Sequence, residues 1–428
     1  MKRDGTRDFH EARWDEPILM ELGEPGQRAL LLEEIEPQVA QAAGAPDDLV
    51  PQGYLRREAP ELPELGQMQL LRHYLRLSQE TIGADLNIDI GLGTCTMKYN
   101  PKVHESFVRD PRFSELHPYQ DPSTTQGILQ VLYETEQYLK AISGMDRFSL
   151  NPAGGSQGIF SNVAIIRAYH EARGEGAQRD EIITTILSHP GNAGTAAALG
   201  YKVITLYPDE SGIPDLNALK AAVSPRTAAL LITNPEDTGI YNEKIREFVD
   251  IVHAAGGLCV YDQANLNGLM GITRARDAGF DLCQFNLHKT FSSPHGSQGP
   301  GAGAQGCTEE LAQFLPLPTV EFDGTQYYLD YNRPHSIGKL RKFYGVPAVV
   351  LRAYAYIRSL GADGLKQVSE LAILNNNYLL KKLASVRGLS MPMAEGKPRL
   401  EQARLSWEKL CQETSVTTDD IDRRIVDY

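Results

Sequence analysis

The sequence predicts an α/β fold, a mostly parallel sheet covered by helices, with a smaller C-terminal domain behind it. Three observations predict it. Five short apolar runs, rich in Ile, Val, Leu and Thr, lie between residues 181 and 289. Helical patterns separate some of these runs. After about Gly338 the strand-like runs stop, and the pattern becomes almost entirely helical. Continuous apolar strands that alternate with helices form parallel sheets buried on both faces, and ligands gather where such strands end.

The elements follow in order. Residues 1–85 are polar, punctuated by Pro and Gly, and read as an arm with a helical pair, of which "LGQMQLLRHYLRLSQETIG" is the clearest part. "PSTTQGILQVLYETEQYLKAI" (122–142) reads as a long helix with Gly144 as its stop. The strand candidates are "EIITTILSH" (181–189), "YKVITLYP" (201–208), "TAALLITNP" (227–235), "GLCVYDQAN" (257–265) and "LCQFNLHK" (282–289). "EKIREFVDIVHAAGG" is a helix that closes on Gly256 and Gly257. "VPAVVLRAYAYIRSLGADGLKQVSELAILNNNYLLKKLASV" is helical, and so is much of the last stretch from Arg399. The expected organisation is an arm over 1–85, a large domain over 86–337 and a small helical domain over 338–428.

The bulk numbers set the class. A chain of 428 residues that is 42% hydrophobic can bury more than one core. A net charge of -13 argues against nucleic acid and anionic membrane as main partners. No run approaches the roughly 20 apolar residues of a membrane span, and the first residues lack an apolar signal region. The five cysteines are widely spaced and form no CxxC pair, so no metal is expected, and buried reduced thiols in a cytoplasmic protein account for them.

Four stretches carry candidate chemistry. The first is "NLHKTF". Lys289 ends an apolar run, where an amine costs stability unless it is solvated, paired or chemically consumed. A lysine whose head snorkels to solvent explains it too. The second is "VYDQAN". It puts Asp262 at the end of the preceding run, 27 residues before Lys289, and in a parallel sheet both would face one crevice. A carboxylate opposite a protonated pyridine nitrogen, with a lysine that condenses with an aldehyde, is the pair that pyridoxal phosphate chemistry needs. A strand-end cap or an ion pair would also account for Asp262. The third is "NPAGGSQG" before a helix, where Gly154, Gly155 and Ser156 can offer backbone N–H groups to a phosphate. The fourth is "LSHPGNAGT", in which His189 could stack on a flat ring or serve structurally. Asn234 in "ITNPEDTG" and His288 beside the lysine complete the candidate cofactor contacts.

Taken in order, these stretches resemble the glycine decarboxylase (P-protein) family of the glycine cleavage system, in the lysine-bearing subunit 2 of its two-subunit form. "GTCTMKYNPKVHE" (93–105), "LHPYQDPSTTQG" (116–127), "YDQANLNGLMG" (261–271), "NLHKTFSSPHGSQGPGAG" (286–303) and "YYLDYNRPHSIGKLRKFYG" (327–345) carry the resemblance, which runs from about residue 16 to about 385. It implies a fold-type-I, pyridoxal-phosphate-dependent enzyme with a mostly parallel seven-stranded sheet. It implies that Lys289 holds pyridoxal 5'-phosphate, Asp262 meets the ring nitrogen and His189 stacks on the ring. It implies decarboxylation of glycine, with transfer of the aminomethyl group to lipoylated H-protein. It implies a partner, the homologous subunit 1 that lacks the lysine, in a hetero- or homo-oligomer. Lys98, Asn100 and His117 are candidates to position the substrate carboxylate.

The chain departs from the family pattern at several points. Gln157 stands where the phosphate loop has a histidine, and Gln263 replaces a small residue beside Asp262. Ser297 and Gln298 interrupt a glycine run. After residue 385 the family's β-containing region is not recognisable, and its final segment is expected to be missing. A divergent enzyme acting on glycine or another small amino acid, or a partner subunit that binds the cofactor without catalysis, remain the alternatives.

Overall fold

The computed structural model describes residues 15–80, 101–293 and 299–426. The chain divides into two compact units, residues 1–87 with 423–428, and residues 88–422. The first holds α1 (Pro37–Ala43) and α2 (Gln67–Glu80). Glu16 ties its segment to α2, with Oε1 2.8 Å from His73 Nδ1 and Oε2 2.9 Å from Arg76 Nη1.

The second unit begins with α3 (Lys102–Val108), α4 (Pro111–Ser114), α5 (Gln126–Ser143) and β1 (Arg147–Ser149). It continues through α6 (Gly155–Ala172), β2 (Glu181–Thr185), α7 (Pro190–Ala198), β3 (Lys202–Leu206), α8 (Leu216–Ala222), β4 (Thr227–Ile232), α9 (Ile245–Ala254), β5 (Leu258–Gln263), β6 (Leu282–Asn286) and β7 (Gly303–Cys307). A hairpin, β8 (Thr319–Phe322) with β9 (Tyr327–Asp330), precedes α10 (Pro347–Leu383) and α11 (Glu408–Glu413), and α12 (Thr418–Val426) runs across the division between the units at residue 422.

The sheet has seven strands in the order β1-β7-β6-β5-β4-β2-β3. β2, β3, β4, β5 and β6 pair in parallel. β7 pairs antiparallel with both β6 and β1, so it alone runs against the other six. The expected helix at 122–142 is α5. It stops because Gly144 takes the left-handed conformation (φ 74°) and returns its N–H to the Lys140 carbonyl at 2.8 Å.

Strand alternation sorts the core onto two faces. Leu230, Ile232, Tyr261, Cys283 and Phe285 pack with Leu132 of α5, Phe248 of α9 and Val350 of α10. Ala229, Leu231, Val260 and Leu282 pack with Ile159, Val163 and Ile166 of α6. A fully buried aliphatic side chain contributes about 1.5–3 kcal/mol, so three on α6 fix that helix firmly across the sheet.

The strands are shorter than the apolar runs suggest. β6 ends at Asn286, so Lys289 lies three residues past the strand, in a turn closed by its own N–H to the Asn286 carbonyl at 3.0 Å. His189 is likewise beyond β2, at the N-cap of α7. α10 is broken at Gly361 (φ 62°, ψ −175°), which divides the long helical run in two.

Candidate active site

Because six strands point the same way, the carboxyl ends of β1, β6, β5, β4 and β2 open on one edge, where β7 also begins. That edge collects most of the candidate residues.

β1 ends at Ser149, and the chain turns through Asn151 and Pro152 into α6. The Pro152 carbonyl accepts the Gly303 N–H at 2.8 Å, which docks this turn on β7. Gln157 locks it from inside, its Oε1 accepting the Ala153 N–H at 2.7 Å and its Nε2 donating to the Leu340 carbonyl at 3.2 Å. Among the described residues, the N–H groups of Gly155, Ser156 and Gln157 meet no protein acceptor. Gly154 and Gly155 are half-buried and Ser156 is exposed, so these donors stand at an accessible mouth at the positive end of an 18-residue helix. A Cβ on Gly155 would lie 2.9 Å from Asn286 Nδ2, so the turn sits directly against the end of β6.

Asp262 is the penultimate residue of β5 and is 2% exposed. Its Oδ1 accepts two N–H donors, Gln284 Nε2 at 2.5 Å and Ala264 N at 3.1 Å. Among the described residues its Oδ2 takes no hydrogen bond. The chain carrying Lys289 leaves the adjacent strand, about 5 Å away at sheet spacing. Lys289 is half-buried. Its neighbour Thr290 accepts the Leu266 N–H on Oγ1 at 2.9 Å, which joins the lysine turn to the loop after Asp262. His288 is buried, with Nδ1 3.1 Å from the Ala302 carbonyl and 3.2 Å from the Ala302 nitrogen.

His189 is exposed, and its Nδ1 accepts the Gly191 N–H at 3.0 Å, so the neutral ring carries its proton on Nε2. Asn234 is turned inward. Its Oδ1 accepts the Asn242 N–H at 2.8 Å and its carbonyl accepts the Tyr261 hydroxyl at 2.5 Å. His117 is exposed, with its ring 6.0 Å from that of Phe343, in the segment that Gln157 binds at Leu340. Lys98, Asn100, Ser297 and Gln298 lie outside the described residues.

Several residues of the edge went unread in the sequence. Gln284 and Asn286 alternate with Cys283 and Phe285, and two amides at a period of two in an apolar run were a legible sign of a polar row on one sheet face. Glu236 and Glu401 are carboxyls that burial pushes up to about 7. Glu236 meets Thr185 Oγ1 at the end of β2, and Glu401 Oε1 accepts from Asn265 Nδ2 at 3.2 Å in the loop after Asp262. Glu401 reaches this loop because Leu400 N–H binds the Gly239 carbonyl at 2.8 Å and Gln402 Nε2 the Glu236 carbonyl at 2.9 Å.

The donor set suits one cofactor. A helix N-terminus with three unused N–H groups accepts a phosphate. Asp262 has one oxygen, Oδ2, with no hydrogen bond among the described residues, and a half-buried amine, that of Lys289, stands past the next strand. Asn286 Oδ1, buried without a partner among the described residues, adds an unused acceptor at the same edge. These are the parts that pyridoxal phosphate requires.

Comparison with known proteins decides the family. Residues 156–316 match the class-V aminotransferase family. The chain is 46% identical to the probable glycine dehydrogenase (decarboxylating) subunit 2 of Pyrococcus furiosus over 426 residues, covering 98% of this chain and 82% of that protein. The chain belongs to the glycine dehydrogenase (decarboxylating) subunit 2 family. The corresponding protein of Caldanaerobacter subterraneus is 44% identical over 96% of this chain and 82% of its own length. Among solved structures, an inhibitor-bound glycine decarboxylase (P-protein) of the glycine cleavage system superposes with a TM-score of 0.68 at 19% identity, covering 86% of each chain. A sphingosine-1-phosphate lyase from Burkholderia pseudomallei follows at 0.55 and 16% identity, covering 81% of this chain and 79% of that one. The fold of this subunit 2 family member is therefore that of the fold-type-I enzymes. Among the described residues, no helix is long and apolar enough to cross a membrane.

Proposed function

We propose that this chain is the lysine-bearing, pyridoxal-phosphate-dependent subunit of a two-subunit glycine decarboxylase acting in glycine cleavage. The reading rests on one observation above the rest, the 46% identity over 98% of the chain to a protein named for that activity. The edge described above supplies the groups the reaction needs.

When bound, pyridoxal phosphate supplies an electron sink for the bond broken at the glycine α-carbon. Lys289, half-buried, would be its attachment amine. Asp262 would accept the ring N–H on Oδ2, because Oδ1 is already occupied by Gln284 and Ala264. The N–H groups of Gly155 and Ser156, with Gly154 giving room, would hold the phosphate at the α6 N-terminus. His189 would stack on the ring, and with Nδ1 occupied by the Gly191 N–H its free nitrogen is Nε2. His288 and Asn234 brace this wall through Ala302 and Asn242. Lys98, Asn100 and His117 would be the groups that position the substrate carboxylate.

The aminomethyl product passes to lipoylated H-protein, and a homologous subunit 1 without the lysine completes the assembly in the cytoplasm. Residues 1–85 serve as the arm, 86–337 as the large cofactor-binding domain and 338–428 as a small helical C-terminal domain.

The test combines the chain with subunit 1, H-protein and pyridoxal phosphate. Glycine-dependent exchange of labelled CO2 is expected, and Lys289→Ala is expected to abolish it. Exchange that is absent with glycine and present with another small amino acid would replace glycine as substrate. No exchange with any amino acid, in a chain that still binds the cofactor, would make the subunit a non-catalytic partner.

A further inference from the structure

The side of the sheet facing α6 carries a buried polar row. Asp262 on β5 stands beside Gln284 on β6, Gln284 opposite Gln305 on β7, and Gln305 opposite Ser149 on β1. All four are at most 2% exposed. Polar side chains abreast across four strands of a buried sheet are costly unless each bond is used.

The row is anchored at Asp262. A carboxylate only accepts, so the Gln284 amide must turn its NH2 toward Oδ1, where it sits at 2.5 Å. Its Oε1 then points at the first turn of α6. A Cβ on Gly158 would come within 2.6 Å of that oxygen, so only glycine admits the amide in this orientation. Oε1 is buried without a partner among the described residues. Gln284 thus leaves its own acceptor unsatisfied while donating to Asp262. Gln305 lies on its other side, with Oε1 3.5 Å from Ser161 Oγ and Nε2 bonded to the Gly306 carbonyl at 3.2 Å.

We infer that Gln284 is a positioning residue for the cofactor. By filling Oδ1 it fixes the carboxylate plane of Asp262 and leaves Oδ2 as the oxygen that a ring N–H would meet. Gly158 makes room for it, and the Gln305–Ser149 end of the row holds it from behind. The inference rests on the proposed role of Asp262, which it deepens. Among the described residues, the groups facing the Gln284 side chain are Asp262 on β5, Gln305 on β7 and Gly158 on α6, and of these only Asp262 is an ionisable type.

The test uses the full chain with added pyridoxal phosphate and needs no turnover. Gln284→Met keeps the length and removes the donor. Gln284→Glu keeps the shape and donates only while the introduced carboxyl is protonated. Cofactor dissociation constant, visible absorbance across pH and the melting temperature of the cofactor-free chain are read for each. Gln284→Met is expected to weaken binding about tenfold or more, as loss of one hydrogen bond to a charged group does. Gln284→Glu is expected to match wild type at acid pH and fall to the Met value as pH rises and two carboxylates face each other. A purely structural amide would not give that crossover.

Binding by Gln284→Met within twofold of wild type, or a Gln284→Glu profile parallel to wild type at every pH, overturns the inference while the cofactor site stands. If Gln284→Met does not fold, the Gln284→Glu profile decides alone. A wild-type chain that takes no cofactor overturns the proposed role of Asp262 itself, and this inference with it.

Discussion

Gly158→Ala is the sharpest structural test of the α6 side of the site. In an ordinary helix this change stabilises by about 1 kcal/mol, because glycine is a poor helix former. Here the new Cβ would stand 2.6 Å from Gln284 Oε1 and 3.4 Å from its Cβ and Cδ. The amide cannot retreat without leaving Asp262, since β6 is buried along its whole length. Overpacking costs about 1–3 kcal/mol, and a lost hydrogen bond to a charged group costs about 1.5–3 kcal/mol. Setting the helix gain against these leaves a net destabilisation of about 1.5–5 kcal/mol by the same principles. Gly194→Ala in α7 is the control, because nothing lies within 4 Å of its Cβ position, and it is expected to raise stability by about 0.5–1 kcal/mol. Chemical denaturation of both variants reads the two signs side by side. If Gly158→Ala is as stable as wild type, or shifts in the same direction as Gly194→Ala, the close packing of α6 on Gln284 is refuted.

Other outcomes follow from the same geometry. Glu236 and Glu401 have folded-state values raised to about 7 by burial, against about 4.5 when unfolded. Each therefore favours the fold fully below about 4.5, and that contribution is lost as pH rises toward about 7. Glu236→Gln and Glu401→Gln should each raise the melting temperature at pH 8 relative to wild type and leave it nearly unchanged at pH 5. Melting curves at the two pH values check this, and an equal effect at both would contradict it. Asp262→Ala should keep covalent trapping of the cofactor by borohydride yet lose glycine-dependent CO2 exchange, because the amine remains while the ring nitrogen loses its acceptor. Trapping that fails together with exchange would assign Asp262 to folding instead.

The sequence shows the middle of this sheet well and its flank poorly. The runs at 181, 201, 227, 257 and 282 are legible because strands buried on both faces must be continuously apolar. Their ends are not, since residues such as Leu187 and Leu287 are buried past the last ladder bond and look like strand. β7, "GAQGC", has two glycines and a glutamine, and nothing local marks it as a strand. It forms because neighbours leave no room for side chains. A Cβ on Gly303 would meet the Gly154 carbonyl at 2.8 Å, and one on Gly306 the Phe148 ring at 2.5 Å. The same logic governs the site. Lys289, Asp262 and the glycine turn announce themselves by residue type at run ends. Gln284 shows only as one amide of an alternating row, because its role depends on strand register, and Glu401 does not show at all, because it lies on a segment that returns from more than a hundred residues away.

The most direct measurement is where pyridoxal phosphate attaches. The wild-type chain is incubated with it, reduced with borohydride, digested and mapped by mass spectrometry. The account predicts one modified peptide, the one containing Lys289, at close to one cofactor per chain. Modification spread over other lysines with Lys289 unlabelled, or no modification at all, would contradict it.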